Sequence, residues 1–324
     1  MKPTIGLALG GGGARGWAHI GIIRALEEAD ISTSYLAGTS IGALVGAIYA
    51  VGALDELEAF ADEVNMREMM QLVDISFPSL GLISGERIRD FIARYLLDNA
   101  IEDAHVPFQC VATNFLLKEE VILQTGLMVD AVRASISIPG IFAPCKRAEN
   151  LYLVDGGVVN PVPVSVVEAM GADYVIAVNL NKEPKQSQAA TDQPDEDRRA
   201  TQASESSGSQ AESESAKQPD KGPFQRLSNR YEALKDVVQD QVDDWIPDPS
   251  TGLNIFDVLG NSINVMEQRV TEINLQIHQP QCLIEPDLSE FGLFDFHQAK
   301  PMIEIGYQAA QAKLPHILQA VSSN

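Results

Sequence analysis

Two strand-to-helix units at the start of the chain constrain its fold more than any other feature. An apolar segment at 4–9 runs through the glycines of 10–16 into a helix predicted at 17–29, which has one apolar face. A short strand around 35–37 then turns at 38–42 into IGALVGAIYA, a stretch that is apolar on every side and is predicted to be a helix inside the protein. Strand and helix in this alternation predict an α/β fold with a parallel sheet and right-handed crossovers.

The turn of the first unit is dense in glycine and has several interpretations. Residues 11–16 fit G-x-G-x-x-G, but a dinucleotide-binding fold would place an acidic residue at the end of the second strand, where this chain has Gly-Thr-Ser. A phosphate-binding P-loop would need Gly-Lys-Ser/Thr after the turn. The remaining interpretations are a ligand-free glycine turn and an oxyanion hole. In an oxyanion hole, the amides of Gly11, Gly12 and Gly13 at a helix N-terminus would stabilise a transient negative charge.

The turn of the second unit has the pattern Gly38-x-Ser40-x-Gly42 and lies between a strand and a buried helix. A nucleophile elbow needs that context, because the glycines let the turn be sharp enough to expose the serine hydroxyl. The five-residue pattern also occurs as a plain structural turn. Its position shortly after a candidate oxyanion loop favours a nucleophilic Ser40.

A nucleophilic serine needs a base, and Asp155 is the best candidate. It ends the apolar strand LYLVD and is followed by Gly156 and Gly157, so its carboxylate would leave the strand partly desolvated and more basic. The five histidines stand in no motif, although His19 lies close to the glycine loop. An Asp-Gly turn without a catalytic role is the alternative interpretation.

The amino-acid composition of the chain disfavours several kinds of binding partner. The 324 residues carry 45 acidic and 23 basic side chains, and the formal net charge of −22 disfavours binding to nucleic acid and electrostatic docking to anionic lipid. Three widely spaced cysteines show neither metal-ligand spacing nor a disulfide framework, so the cytoplasm is the expected compartment. No apolar run is long enough to span a bilayer.

One stretch departs from the strand-and-helix alternation. Residues 186–222 contain no Val, Ile, Leu, Phe, Met, Trp or Tyr, and such a composition does not offset the entropy of ordering. We therefore expect a flexible, low-complexity insertion at 183–250 within a single domain that spans 1–324. A long helix marked by apolar residues from 255 to 277, a strand at 282–285 and a C-terminal helix are predicted after the insertion.

The glycine loop, the G-x-S-x-G turn and the Asp-Gly-Gly turn, in this order and all at strand ends, resemble the patatin-like phospholipase family. The match is close to the bacterial RssA-type members and to the catalytic domain of neuropathy target esterase, and it covers about 5–181 and, more weakly, 253–288. The resemblance implies a three-layer α/β fold with a central, mostly parallel sheet and helices on both faces. It also implies these residue roles: nucleophile, Ser40; proton acceptor, Asp155; oxyanion loop, Gly11, Gly12, Gly13 and Arg15; elbow glycines, Gly38 and Gly42; Asp-turn glycines, Gly156 and Gly157.

The resemblance further implies a function. It implies a serine acyl hydrolase of the lipase, phospholipase or lysophospholipase type, which releases a fatty acid from a lipid ester with no metal and no cofactor. The partner of such an enzyme would be its lipid ester substrate. Transient contact of the protein with the inner membrane surface is a further expectation. An acyltransferase that uses the same acyl-serine, and a regulatory or scaffold protein on this fold, are alternatives.

Three further expectations concern residues around these motifs. ASISIPGIFAP, at 134–144, resembles the family's segment before the Asp strand and would shape the acyl pocket and fix Asp155. The apolar, irregular stretch at 69–85 is either a lid or membrane-touching loop, or a buried connection. Arg15 either assists the oxyanion or caps nearby carbonyl groups.

Overall fold

The computed structural model describes residues 3–74, 81–182 and 255–322, so the insertion predicted at 183–250 lies outside the described residues. Within the described ranges, eight strands form one mixed sheet. The strands are β1 Ile5–Leu9, β2 Tyr35–Thr39, β3 Phe108–Asn114, β4 Glu119–Leu123, β5 Cys145–Ala148, β6 Leu151–Asp155, β7 Tyr174–Val178 and β8 Cys282–Ile284.

The sheet is parallel through its centre. Its strand order is β5-β6-β3-β2-β1-β7-β8, and β4 pairs with β3 outside this path. The five strands from β3 to β8 in this order run parallel, whereas β4 and β6 run antiparallel to β3, and β5 runs antiparallel to β6. The mostly parallel α/β sheet expected from the sequence is therefore confirmed.

The helices connect these strands and follow them. They are α1 Ala18–Glu28, α2 Ile41–Ala50, α3 Leu54–Glu63, α4 Met66–Gln71, α5 Glu86–Leu96, α6 Met128–Ser135, α7 Val164–Met170, α8 Ile255–Ile277, α9 Ala299–Gln311 and α10 Leu314–Ser322. No helix in the described part of the chain is long and apolar enough to cross a bilayer. The chain divides into one compact unit, Met1–Pro184 with Gly260–Asn324, which contains the whole sheet, and a second unit, Lys185–Leu259.

The end of the chain differs from the prediction of one C-terminal helix, because α9 and α10 are separate. Pro315 has no amide hydrogen and is tolerated in the first turn of a helix but not in its interior. It occupies the first turn of α10, so a new helix starts there.

Helices cover both faces of the sheet, as the three-layer architecture requires. Along β1, Leu7 and Leu9 join a core with side chains of α1 and α2, whereas Ala8 joins a second core with valines of α7. Successive side chains of a strand point to opposite faces, so one strand serves both cores. In α2, every side chain except that of Tyr49 is buried, which confirms that IGALVGAIYA is an internal helix.

Two strands, β2 and β6, share one edge of β3, and their ends meet there. Residues 112–114 of β3 pair with β4 on one side and with β6 on the other, while β2 pairs with the residues before them. β2 runs parallel to β3 and ends at Thr39 beside Val111, whereas β6 runs antiparallel and ends at Asp155 beside Ala112. The residue that follows Thr39 therefore comes next to Asp155.

Candidate active site

Ser40 occupies a strained turn between β2 and α2. Its backbone has φ 55° and ψ −123°, a conformation that costs energy for a residue with a Cβ. Gly38 and Gly42 are needed for space, since a Cβ on Gly38 would lie 2.4 Å from the Gly42 carbonyl oxygen, and one on Gly42 would lie 2.2 Å from that of Leu9. The turn therefore has the sharp geometry that a nucleophile elbow requires.

Asp155 contacts Ser40 directly from the end of β6. The Ser40 hydroxyl donates a hydrogen bond to Asp155 Oδ2 (2.6 Å), and the Gly157 amide donates one to Oδ1 (2.7 Å). The backbone of Asp155 is also held, because its amide donates to the Ser137 carbonyl (2.9 Å) and its carbonyl accepts from the Thr113 hydroxyl (2.8 Å). Ser40 and Asp155 are only 5% and 2% exposed, so the pair is shielded from bulk water.

The segment at 134–144 contacts both members of this pair. Ser135 Oγ accepts a hydrogen bond from the Ser40 amide (2.9 Å) and donates one to a carbonyl of β3 (2.6 Å). The Ser137 carbonyl accepts from the Asp155 amide, as described above. The expectation that this segment fixes Asp155 is confirmed, and its role in shaping an acyl pocket stays a prediction.

Burial makes Asp155 a stronger base than an exposed aspartate. Desolvation raises the pKa of Asp155 to about 6, although hydrogen bonds from Ser40 and Gly157 stabilise the anion and act in the opposite direction. The carboxylate is therefore mostly ionised at neutral pH, yet it has an appreciable affinity for the serine proton. A base of this strength is suited to general-base chemistry near pH 7.

The glycine loop lies beside Ser40, and its amides differ in their partners. The Gly11 amide donates to the Pro161 carbonyl (2.9 Å), whereas the amides of Gly12 and Gly13 have no hydrogen-bond partner among the described residues. Gly13 has φ 57°, and a Cβ there would lie 2.4 Å from the Leu293 carbonyl oxygen, so only glycine fits. Two of the three predicted oxyanion-hole amides thus have no hydrogen-bond partner in the described part of the chain, and their role as oxyanion donors stays a prediction.

Arg15 binds neighbouring protein groups. Its Nε donates to the Phe291 carbonyl (2.9 Å), and its Nη1 lies 3.2 Å from Asn181 Oδ1 and 3.4 Å from Asn264 Oδ1. Burial lowers the pKa of Arg15, and the negative charges of Glu267 and Asp295 act against this effect. These contacts match the capping role considered for Arg15, whereas its direct assistance to an oxyanion stays a prediction.

His19 has a structural contact with the same loop. Its Nε2 bonds the Gly10 carbonyl at 2.8 Å, and the side chain is fully buried. Burial lowers the pKa of His19 to about 4, so the imidazole is neutral at pH 7 and Nε2 carries the proton that it donates to Gly10. This histidine supports the start of the glycine loop and does not contact Ser40.

The stretch at 69–85 is tied down at both described ends. Residues 75–80 lie outside the described residues. Asp74 accepts hydrogen bonds from the amides of Gly85 and Glu86 (both 2.9 Å), and the Arg133 guanidinium donates to the Gly85 carbonyl (3.1 Å). These contacts favour a packed connection at its ends, and the lid hypothesis concerns residues that are not described.

Sequence reasoning missed a second buried carboxyl group next to Asp155. Glu267 of α8 is 8% exposed, and its Oε2 accepts a hydrogen bond from Asn181 Nδ2 (3.0 Å). Its Oε1 would lie 2.2 Å from a Cβ on Gly157, the residue whose amide holds Asp155. The one available sequence signal was an acidic residue within the apolar positions of a predicted helix. No group of three or more metal-ligating side chains occurs in the described ranges.

Known proteins with similar sequences share the part of the chain that carries these motifs. Residues 7–167, about half of the chain, match the family model described as "Patatin-like phospholipase". An uncharacterized NTE family protein of Mycobacterium tuberculosis (strain ATCC 25618 / H37Rv) is 41% identical over 180 residues, which cover 56% of this chain and 50% of that protein.

Two eukaryotic proteins are also similar over this part. Patatin-like phospholipase domain-containing protein 6 of Homo sapiens is 34% identical over 189 residues, or 56% of this chain and 14% of that protein. Lysophospholipase NTE1 of Mycosarcoma maydis is 37% identical over 183 residues, or 55% of this chain and 10% of that protein. The similarity therefore spans half of the mycobacterial relative and smaller shares of the other two. Through residues 7–167, this chain belongs to the patatin-like phospholipase family.

Proposed function

We propose that this chain is a serine acyl hydrolase that cleaves a lipid ester with Ser40 as the nucleophile and Asp155 as the base. The observation that carries the proposal is the 2.6 Å hydrogen bond from the hydroxyl of a strained serine to a buried carboxylate. A serine at a strand-to-helix turn, bonded to a base that is itself oriented by a backbone amide, is the arrangement that activates a nucleophile.

The first half-reaction would acylate Ser40. Asp155 accepts the proton of Ser40 as Oγ forms a bond to the ester carbonyl carbon, and the carbonyl oxygen becomes an oxyanion. When the tetrahedral intermediate collapses, the ester C–O bond breaks and Asp155 returns the proton to the departing alcohol. In the second half-reaction, water gives a proton to Asp155 as its oxygen attacks the acyl-serine carbonyl carbon. When this tetrahedral intermediate collapses, the bond between that carbon and Ser40 Oγ breaks, Asp155 returns the proton to Oγ, and the fatty acid leaves.

The amides of Gly12 and Gly13 are the proposed oxyanion donors. They have no hydrogen-bond partner within the described chain, and they lie at the N-terminus of the turn Gly13–Trp17 that leads into α1, with Gly12 as its N-cap and Gly13 as its first residue. Fixed amides at such a position stabilise negative charge that develops in the transition state. The Gly11 amide already donates to the Pro161 carbonyl, so we propose that Gly11 holds the loop in place beside Ser40 and is not an oxyanion donor.

A lysophospholipid is the substrate class we propose. The relative from Mycosarcoma maydis is named as a lysophospholipase, and the family is named for phospholipid hydrolysis. We propose a cytoplasmic protein with transient membrane contact, because a lysophospholipid partitions into membranes. The turn between β3 and β4 supports that contact, since Phe115, Leu116 and Leu117 are 57%, 51% and 64% exposed.

The experiment that tests this function is the hydrolysis of lysophosphatidylcholine, measured as the release of fatty acid. We expect turnover by the wild type, release at background level for Ser40→Ala, and a loss of about a hundredfold or more for Asp155→Asn, which cannot accept the proton. Ser289→Ala, at an exposed serine that bonds only the nearby Asp287, is the matched control and should keep wild-type turnover.

Three outcomes would contradict the proposal or change it. Fatty-acid release that survives Ser40→Ala excludes Ser40 as the nucleophile. Acyl transfer to a second lysolipid that exceeds fatty-acid release favours the acyltransferase alternative. Absence of any turnover and of any acyl-serine favours a regulatory or scaffold protein.

A further inference from the structure

Helix α8 buries two polar side chains although several of its apolar side chains are exposed. Met266, Ile273 and Ile277 are 59%, 58% and 69% exposed, although their spacing in the sequence is that of a buried stripe. The buried positions of the same helix include Glu267 and Thr271. A surface helix ordinarily turns its apolar stripe toward the core. A buried carboxyl group needs hydrogen-bond or charge partners, and those of Glu267 lie at the glycine loop and the Asp155 turn.

Glu267 reaches the glycine loop through one side chain, Asn181. Asn181 Nδ2 donates to Glu267 Oε2 (3.0 Å) and lies 3.5 Å from the Gly11 carbonyl oxygen. Asn181 Oδ1 accepts from Arg15 Nη1 (3.2 Å), and the same Nη1 lies 3.4 Å from Asn264 Oδ1, one turn before Glu267 on α8. Glu267 is therefore part of a continuous set of contacts that ends at the proposed oxyanion loop.

Glu267 also packs against the turn that carries Asp155. A Cβ on Gly157 would lie 2.2 Å from Glu267 Oε1 and 3.1 Å from Asp155 Oδ1. Gly157 does not have a left-handed backbone, so a side chain at this position would displace the flexible end of Glu267 rather than strain the backbone. The second glycine of the Asp-Gly-Gly turn is thus the place where two carboxyl groups come together.

We propose that Glu267 is a positioning residue for the Ser40–Asp155 reaction. Through Asn181 and Gly157 it holds the glycine loop and the Asp155 turn at their working separation, and Asp155 responds to its charge. This inference rests on the proposed function. It adds a residue from a helix that lies outside the matched family segment, more than 200 residues after Ser40 in the chain.

The two carboxyl groups lose their protons in sequence. Desolvation, and then the negative charge of Asp155, raise the pKa of Glu267 to about 8, while the hydrogen bond from Asn181 and the charge of Arg15 act in the opposite direction. The pKa of Asp155 is raised to about 6. Between these values the pair carries one negative charge, located mainly on Asp155, and Glu267 keeps its proton.

Ionisation of Glu267 should strengthen Asp155 as a base. A second anion beside Asp155 repels the charge already there, and this repulsion is relieved when Asp155 accepts the Ser40 proton. The positive charge of Arg15 lowers the repulsion but does not remove it, because Arg15 faces Glu267 from the far side of Asn181. We therefore expect the reaction to accelerate in two steps as the pH rises.

The experiment is the pH dependence of kcat/KM for a soluble p-nitrophenyl ester. The wild type should rise near pH 6 and again near pH 8, and Glu267→Gln should rise near pH 6 only, because Gln fills the same space without an ionisable group. Glu272→Gln is the matched control on an exposed position of α8 and should keep both steps. A step near pH 8 that persists in Glu267→Gln overturns the inference, as does a wild type with a single step.

A second measurement does not depend on turnover. Carbon-13 NMR of the side-chain carboxyl groups should show Glu267 titrating near pH 8 in the wild type and at lower pH in Asp155→Asn, where the neighbouring charge is gone. An unchanged titration in Asp155→Asn overturns the inference even if Ser40 is the nucleophile. If the ester is not hydrolysed but the titration moves, the proposed function fails and the contact between the two carboxyl groups stands.

Discussion

The burial of Asp155 makes it a stronger base but lowers the stability of the folded protein at neutral pH. The same desolvation that raises its pKa to about 6, and so makes it a useful base, penalises its charged form in the folded state. An unfolded aspartate ionises near its ordinary pKa of 3.8. The folded protein therefore binds this proton more tightly than the unfolded chain does. The stability that Asp155 contributes is complete below about pH 4 and is lost as the pH rises through about 6.

Asp155→Asn should therefore stabilise the protein at neutral pH while lowering its activity by about a hundredfold or more. The difference of about two pKa units corresponds to about 3 kcal/mol in the free energy of unfolding at pH 7. The gain should shrink as the pH falls toward 4 and vanish below the unfolded pKa of 3.8, where the carboxyl group is protonated in both states. Thermal unfolding between pH 4 and pH 8 measures this, with the exposed Asp98→Asn as the control. An Asp155→Asn variant that is less stable at pH 7 would contradict this account.

At the scale of elements, the site arises because β2 and β6 end against each other on one edge of β3. The sequence predicted both turns, since Gly38-x-Ser40-x-Gly42 and Asp155-Gly-Gly have strong local patterns. It did not predict that β6 is antiparallel to β3, because strand direction depends on pairing between residues far apart in the chain. The sequence also did not predict which side of α8 faces the core. The apolar spacing of α8 predicted a helix correctly, but Met266, Ile273 and Ile277 of that spacing are exposed and Glu267 is buried.

The β3–β4 turn is the element on which the membrane proposal depends. Its shape is fixed without burying its apolar side chains, because Asn114 Oδ1 accepts from the amides of Leu116 and Leu117 (3.1 and 3.2 Å). It projects beyond the end of β2, where Ser40 lies, since β3 continues past that point. Lys118 at its end has an exposed ammonium group suited to the headgroup region of a bilayer.

Replacing Phe115, Leu116 and Leu117 together by Ser should weaken binding to phosphatidylcholine vesicles by about tenfold or more, because these side chains would no longer enter the interface. Zwitterionic vesicles are chosen because the net charge of −22 opposes anionic ones. Vesicle co-sedimentation measures the binding, and turnover of a soluble ester checks that the variant is folded. Ser at two other exposed apolar positions, Met66 and Leu318, is the control. Equal loss in the control, or none in the triple variant, would contradict the proposal.

At the scale of the whole molecule, sequence reasoning described the first part of the chain better than the last. The alternation of strands and helices, the central buried helix and the three motifs all lie within 5–160, and local patterns were sufficient there. The support for the site comes from residues far along the chain, such as Asn181, Glu267 and Phe291, which contact Arg15 or its neighbours. Contacts between residues so far apart in the sequence follow from the packing of the complete fold. The one local signal for them was the acidic residue within the predicted helix.

Covalent labelling of Ser40 by a fluorophosphonate tests the central claim most directly, with the adduct located by peptide mass spectrometry. We expect one adduct, on Ser40, in the wild type, none in Ser40→Ala, and labelling slowed by about a hundredfold or more in Asp155→Asn, because the hydroxyl then lacks its base. An adduct that survives Ser40→Ala, or a wild type that is not labelled, would contradict the claim that Ser40 and Asp155 form an active nucleophile and base.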